Sequence, residues 1–166
     1  MHARTRVNGF TMIEMMVTVS IAAILFAVTV PSFKDASLGS QLRSSADQLM
    51  ASANLARSEA IKRNAPITLC VSSDGETCGT DGWQQGWVVR SATDVIQSQA
   101  KAPSGFLISA SGGATSLSFQ PTGVGSTVAE FTICRATPNP GNQKRLVKID
   151  AVGRASVEKA AGGACS

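Results

Sequence analysis

The sequence predicts an α+β protein: a long N-terminal helix, apolar in its first half, bearing a globular head of antiparallel β-sheets. The head is expected to be sandwich-like and packed on the C-terminal half of the helix. Three observations predict this. Phe10–Val30 is a run of 21 residues with one charge, Glu14. Residues 35–63 keep leucine and alanine at helical spacing. After Pro66 the pattern changes to short β-type runs separated by Gly, Ser, Pro and Asn.

A chain of 166 residues suits one compact domain with an appendage. Hydrophobic residues make up 43% and charged ones 16%, too apolar a balance for disorder. Lys and Arg number 15 against 11 Asp and Glu, a formal charge of +4, which is weak for a histone-like nucleic-acid binder. The single histidine, His2, sits in the N-terminal segment, which argues against His-based triads, zincin sites and most general-base chemistry. The chain has neither a Walker-type phosphate loop nor GxGxxG. No enzyme and no cofactor are expected.

The first element is the apolar run. At 1.5 Å per residue it spans about 31 Å, the thickness of a bilayer core. Pro31 follows and is expected to loosen or kink the helix. A secretory signal peptide has a shorter apolar region ending in small residues, and a plain anchor has no use for a carboxylate. Glu14 is costly in a membrane segment and marks a function with a partner. No Lys or Arg in this helix can serve. A free α-amine at Phe10, created by a cut after Gly9, lies one turn away and is largely charged at neutral pH. Arg4 and Arg6 before the span put the N-terminus in the cytoplasm and the rest outside.

The residues Gly9-Phe10-Thr11-Met12-Ile13-Glu14, an apolar helix and Pro31 together resemble the class III signal of type IV pilins and type II secretion pseudopilins. The resemblance implies cleavage between Gly9 and Phe10 by a prepilin peptidase and N-methylation of Phe10. It also implies pairing of Glu14 with the α-amine of Phe10 in a neighbouring subunit. The division that follows is a leader at 1–9, a membrane and filament-core helix at 10–33, the second half of the helix at 34–65, and a periplasmic β-rich head at 66–166. The implied location is the bacterial inner membrane, single-pass, and then the assembled filament at the cell surface.

The second helical segment repeats Leu42, Leu49 and Ala56 at seven, as it does Ala46, Ala53 and Ala60. Together they form one i, i+3, i+4, i+7 stripe of mostly small residues, suited to close packing on a sheet. Gly39 weakens the helix and reads as a joint, and Asn64 with Pro66 ends it. Arg43, Asp47, Arg57 and Lys62 are expected on a solvated opposite face.

Strands are expected at Ile67–Val71, Gly82–Arg90 around Trp87-Val88-Val89, Phe106–Ser109, Ser116–Gln120, Val128–Cys134, Arg145–Ala151 and Arg154–Glu158. An exposed Trp83 or Trp87 would serve as an interface anchor. Trp87, inside a strand, reads more simply as core; Trp83, in a Gly-rich turn, fits either role.

Four cysteines, an even number, suit an oxidising compartment, and they lack the close spacing of metal-ligand pairs. Three connectivities are open. Cys70–Cys78 with Cys134–Cys165 is favoured because each closes a turn-rich segment. Chain entropy assigns these loops roughly 2.6 and 3.7 kcal/mol.

Leu55-Ala56-Arg57-Ser58-Glu59-Ala60-Ile61-Lys62-Arg63-Asn64, then Pro66 and Ile67-Thr68-Leu69-Cys70, is similar to the GspH/FimT family of minor pilins and minor pseudopilins. Asp81-Gly82-Trp83-Gln84-Gln85-Gly86-Trp87-Val88-Val89 and the Gly153-Arg154 turn also fit. The resemblance implies a non-catalytic, low-abundance subunit at or near a filament tip that helps initiate pilus assembly. Implied partners are other pilin and minor pilin subunits, the prepilin peptidase and the inner membrane before assembly. Two alternatives stand beside this: a minor pseudopilin of a type II secretion system, and a DNA-binding minor pilin for DNA uptake.

Some family members bind DNA through a C-terminal GRxR-type motif, and here Gly153-Arg154-Ala155-Ser156 lacks the second arginine. Arg135, Lys144, Arg145, Lys148 and Arg154 nevertheless give five cations against one acid, Asp150, between 135 and 154. They are the candidate DNA-binding residues. Removing the leader takes Arg4 and Arg6 away and leaves a formal +2, a modest field for DNA.

Overall fold

The computed structural model describes residues 9–123, 127–137, 143–162 and 165, apart from the side chains of 28–32, 34, 35 and 143. The leader at 1–8 lies outside the described residues. The chain divides into two compact units, residues 1–38 and 39–166.

One helix, α1, is assigned over Met12–Arg63, its span running through Pro31 and Gly39. Its start follows from Thr11 and Glu14. The Glu14 N–H donates to Thr11 Oγ1 at 3.3 Å, and the Thr11 N–H donates to Glu14 Oε2 at 3.5 Å. This reciprocal capping box satisfies two amides that the first turn leaves without helical partners. Its end follows from Asn64, which adopts φ 50, while the Ala65 N–H reaches back to the Ala60 carbonyl oxygen at 3.2 Å. That geometry closes the last turn, and Pro66 cannot extend it.

In the first unit the described side chains between Met12 and Ala27 are almost all exposed. Among the described residues no helix is long and apolar enough to cross a membrane. Part of the 10–33 span expected to do so lies outside the described side chains.

The head forms two four-stranded antiparallel sheets. β1 (Ile67–Val71), β2 (Trp87–Arg90), β3 (Val95–Gln99) and β5 (Ser116–Phe119) lie in the order β3-β2-β1-β5. β4 (Phe106–Ala110), β6 (Ala129–Arg135), β7 (Gln143–Ile149) and β8 (Ala155–Ala161) lie in the order β4-β6-β7-β8. All described pairings are antiparallel. The architecture is α+β, as the residue patterns predict.

Among the described residues eight strands replace the seven expected. β3, with sequence VIQSQ, is a polar edge strand with no buried residue, so it carries little alternation to read. The expected Gly82–Arg90 strand is a 3₁₀ turn at Trp83–Gln85 followed by β2. Gly86 makes the change of direction at φ 121, where a Cβ would sit 2.6 Å from the Gln99 carbonyl oxygen, so only glycine fits.

All six stripe residues of the helix are buried: Leu42, Ala46, Leu49, Ala53, Ala56 and Ala60. Their small side chains let the helix backbone approach the sheets closely. Trp87 is buried, and its indole Nε1–H donates to Ser52 Oγ at 3.0 Å, tying β2 to the helix. Trp83 is buried as well. Its Nε1–H donates to the Ala114 carbonyl oxygen at 2.7 Å, and its ring meets Phe131 edge-to-face at 4.8 Å. Both tryptophans are therefore core, and the expectation that an exposed one anchors an interface is overturned. Their polar edges are satisfied inside the protein, so nothing favours turning them outward.

Disulfides join Cys70 to Cys78 and Cys134 to Cys165, with Cα–Cα distances of 5.5 and 5.7 Å. The first closes the loop after β1, and the second ties the C-terminal tail to β6.

Candidate functional site

Two regions concentrate the residues singled out by chemistry: the start of the helix and the β6–β7–β8 end of the head. Gly9 and Phe10 are exposed immediately before the Thr11–Glu14 capping box. The carboxylate of Glu14 is thus turned back toward the helix start.

The five candidate DNA-binding residues do not form one patch. Strand alternation puts Arg145 on the face of β7 that carries buried Val147 and Ile149. Arg135 shares the corresponding face of β6 with buried Phe131 and Ile133. Lys144 and Lys148 point to the opposite face. Arg154 follows the β7–β8 turn, at the other end of β7 from Lys144.

Pairing also brings in acids that a window over residues 135–154 leaves out. Glu130 lies directly across from Lys148 in the β6–β7 register. Glu158 accepts a bond from Lys148 Nζ at 2.7 Å. The hydrogen bond to Glu158, with the charges of Glu158 and Glu130, raises the Lys148 pKa above the ordinary lysine value. Lys148 therefore stays charged, with Glu158 and Glu130 as counter-charges beside it. Lys159, absent from the candidate set, lies across from Arg145. Only the strand register reveals either fact, because the residues come from separate stretches of sequence.

The β7–β8 turn is held from two sides. Asp150 Oδ1 accepts the Val152 N–H at 3.0 Å and the Arg154 N–H at 2.8 Å, and Gly153 takes φ 71. From the helix, Arg57 Nε–H donates to the Val152 carbonyl oxygen at 2.7 Å. Arg57 is half-buried and does not lie on a solvated face as expected. The backbone of the turn offers it an acceptor that water would otherwise fill. Arg154 projects from this turn and is exposed.

A second constrained loop follows β1. Asp74 accepts bonds from Ser72 Oγ, from the Glu76 and Thr77 amides, and from Thr77 Oγ1. The Thr77 hydroxyl bond and these other donors hold the Asp74 carboxyl far below the usual carboxylate range. Among the described residues no His, Cys, Asp and Glu cluster is arranged to hold a metal ion.

The family model described as "Type II transport protein GspH" matches residues 45–153, about two thirds of the chain. The chain belongs to the GspH family. A second model, "Prokaryotic N-terminal methylation motif", matches residues 4–30, which covers the Gly9–Glu14 segment. No curated protein gives a significant match.

Among solved structures, this GspH-family chain is similar to the type IV minor pilin FimU of Pseudomonas aeruginosa. In one crystal form the TM-score is 0.58 at 22% identity, covering 72% of this chain and 89% of that one. In a second crystal form it is 0.53 at 21% identity, covering 70% and 92%. The minor pseudopilin EpsH from the Type 2 Secretion System of Vibrio cholerae gives 0.52 at 15% identity, covering 73% and 97%. At these identities the likeness establishes the shared fold. Family and motif together make the chain a pilin-class subunit, a minor pilin or minor pseudopilin. The same membership implies other pilin-class subunits and a prepilin peptidase as its partners.

Proposed function

We propose that the chain is a minor pilin of a type IV pilus, a non-catalytic subunit that helps initiate assembly at or near the filament tip. The observation that carries this reading is the Thr11–Glu14 cap directly behind Gly9–Phe10, on a chain whose head has the fold of FimU. Cleavage after Gly9 frees the α-amine of Phe10 beside the Glu14 carboxylate, and methylation of that amine follows. The apolar helix holds the chain in the inner membrane, with the head in the periplasm, until the helix enters the filament core. Glu14 then pairs with the α-amine of a neighbouring subunit, because a carboxylate in that apolar setting needs a cation.

Mass spectrometry of the chain from its host tests the processing step: a mature N-terminus at Phe10 carrying one methyl group is expected. Deleting the gene then tests the role. Loss of sheared pili and of twitching motility supports a pilus subunit. Intact pili with loss of secreted enzymes transfers the chain to a type II secretion system, the reading favoured by the family description and the EpsH likeness. DNA uptake has less support, because the five candidate cations are divided between two sheet faces and one turn, with Lys148 bonded to Glu158.

A further inference from the structure

We infer that the groove beside Arg154 is a subunit-docking surface, and that it takes an apolar side chain flanked by a carboxylate from a neighbouring pilin-class subunit. The inference rests on the pilin-class reading above and assigns it a contact. The groove, of about 450 Å³, lies where β6 begins, β7 ends and β8 begins. Buried Ala129 and Ile149 line it together with Val128, a valine 66% exposed. An exposed valine gains from being covered.

The rim decides the chemistry of the occupant. Lys148 lines the groove but is bonded to Glu158 and faces Glu130. The Asp150 carboxylate is occupied by the Val152 and Arg154 amides. The Arg154 guanidinium lines the groove, is exposed, and among the described residues has no hydrogen bond or ion pair. One unsatisfied fork of donors in the same groove as an exposed valine matches a single carboxylate with an apolar neighbour. A phosphodiester backbone fits less well, because Glu130 and Asp150 border the same rim and repel a run of phosphates. Arg57 and Asp150 also hydrogen-bond the backbone of the turn with no partner present, which leaves less of it to order on binding.

The test uses the full chain in its host. Sheared filaments bearing R154K are treated with a water-soluble carbodiimide, which joins a lysine amine to a touching carboxylate but leaves arginine unreacted. The expected product is an adduct from position 154 to an Asp or Glu beside an apolar residue of another pilin-class subunit, mapped by mass spectrometry. Separately, R154E and V128D are expected to lower the share of the chain found in filaments about tenfold at unchanged cellular abundance. Both positions are exposed, so abundance reports folding independently. Normal incorporation of both variants overturns the docking surface, as does an adduct confined to the chain itself. Normal incorporation of R154E with lost DNA uptake overturns it too and gives Arg154 to DNA. Absence of the wild-type chain from filaments instead defeats the filament-subunit reading.

Discussion

Arg57 on the helix and Val152 in the β7–β8 turn, separated by 95 positions in the chain, are joined by a 2.7 Å hydrogen bond from Nε–H to the carbonyl oxygen. The same turn is held from within by Asp150 and Gly153. The last hairpin of the second sheet is thereby fastened to the helix at one point. Replacing Arg57 by alanine is expected to cost about 1–2 kcal/mol, the range for a bond from a charged donor with partial exposure. Arg57→Lys recovers little of it, since an ammonium cannot reproduce the guanidinium's fixed geometry. Urea denaturation of the detergent-solubilised chain measures both.

Trp87 and Ser52 couple the helix to the first sheet. Ser52→Ala leaves a buried indole N–H without an acceptor and is expected to cost about 1–3 kcal/mol. Trp87→Phe loses the same bond and also ring volume. The double variant is expected to cost less than the sum of the two, because removing both partners leaves neither polar group stranded. A double-mutant cycle of unfolding free energies provides the check.

The Asp74 loop predicts an acid limb of stability. Its folded pKa is depressed, so the stabilisation is fully present above the unfolded aspartate value of about 3.9 and is lost as pH falls from there toward the folded value. Glu59, lowered first by its hydrogen bond to Arg63, acts in the same direction. Asp74→Asn is expected to flatten the fall in urea midpoint below about pH 4 and to leave its slope between pH 6 and 8 unchanged. Equal acid limbs in both proteins would remove this role from Asp74.

Reducing the disulfides is expected to act unequally. The Cys134–Cys165 bridge closes a separation of 31 residues and the Cys70–Cys78 bridge one of 8. Chain entropy then makes the Cys134→Ala/Cys165→Ala pair the costlier by about 1 kcal/mol. Thermal melts of the two double variants, compared with the parent, measure the difference.

Much of the fold is legible from local pattern. The stripe from Leu42 to Ala60 is readable because helical contacts recur every three or four residues along one stretch of chain. The stop at Asn64 and Pro66 is readable because a left-handed cap and a missing N–H are properties of those residues alone. The Gly9–Glu14 signal is equally local, and it marks the pilin class without help from the head.

The tertiary structure decided what depends on strand partners. β3 escapes the pattern because a polar edge strand has no buried face to alternate. Trp83 sits in a turn by sequence yet is buried, since Phe131 and Ala114 come from far along the chain to cover it. Arg57 reads as solvated until the β7–β8 turn supplies its acceptor. The basic stretch from Arg135 to Arg154 separates because alternate residues of a strand face opposite ways. Antiparallel pairing then sets Glu130 and Glu158 beside Lys148 and, among the described residues, leaves the Arg154 guanidinium without a partner. Periodicity and caps are written along the chain, whereas charge compensation is settled by register, a relation between segments that no single segment contains.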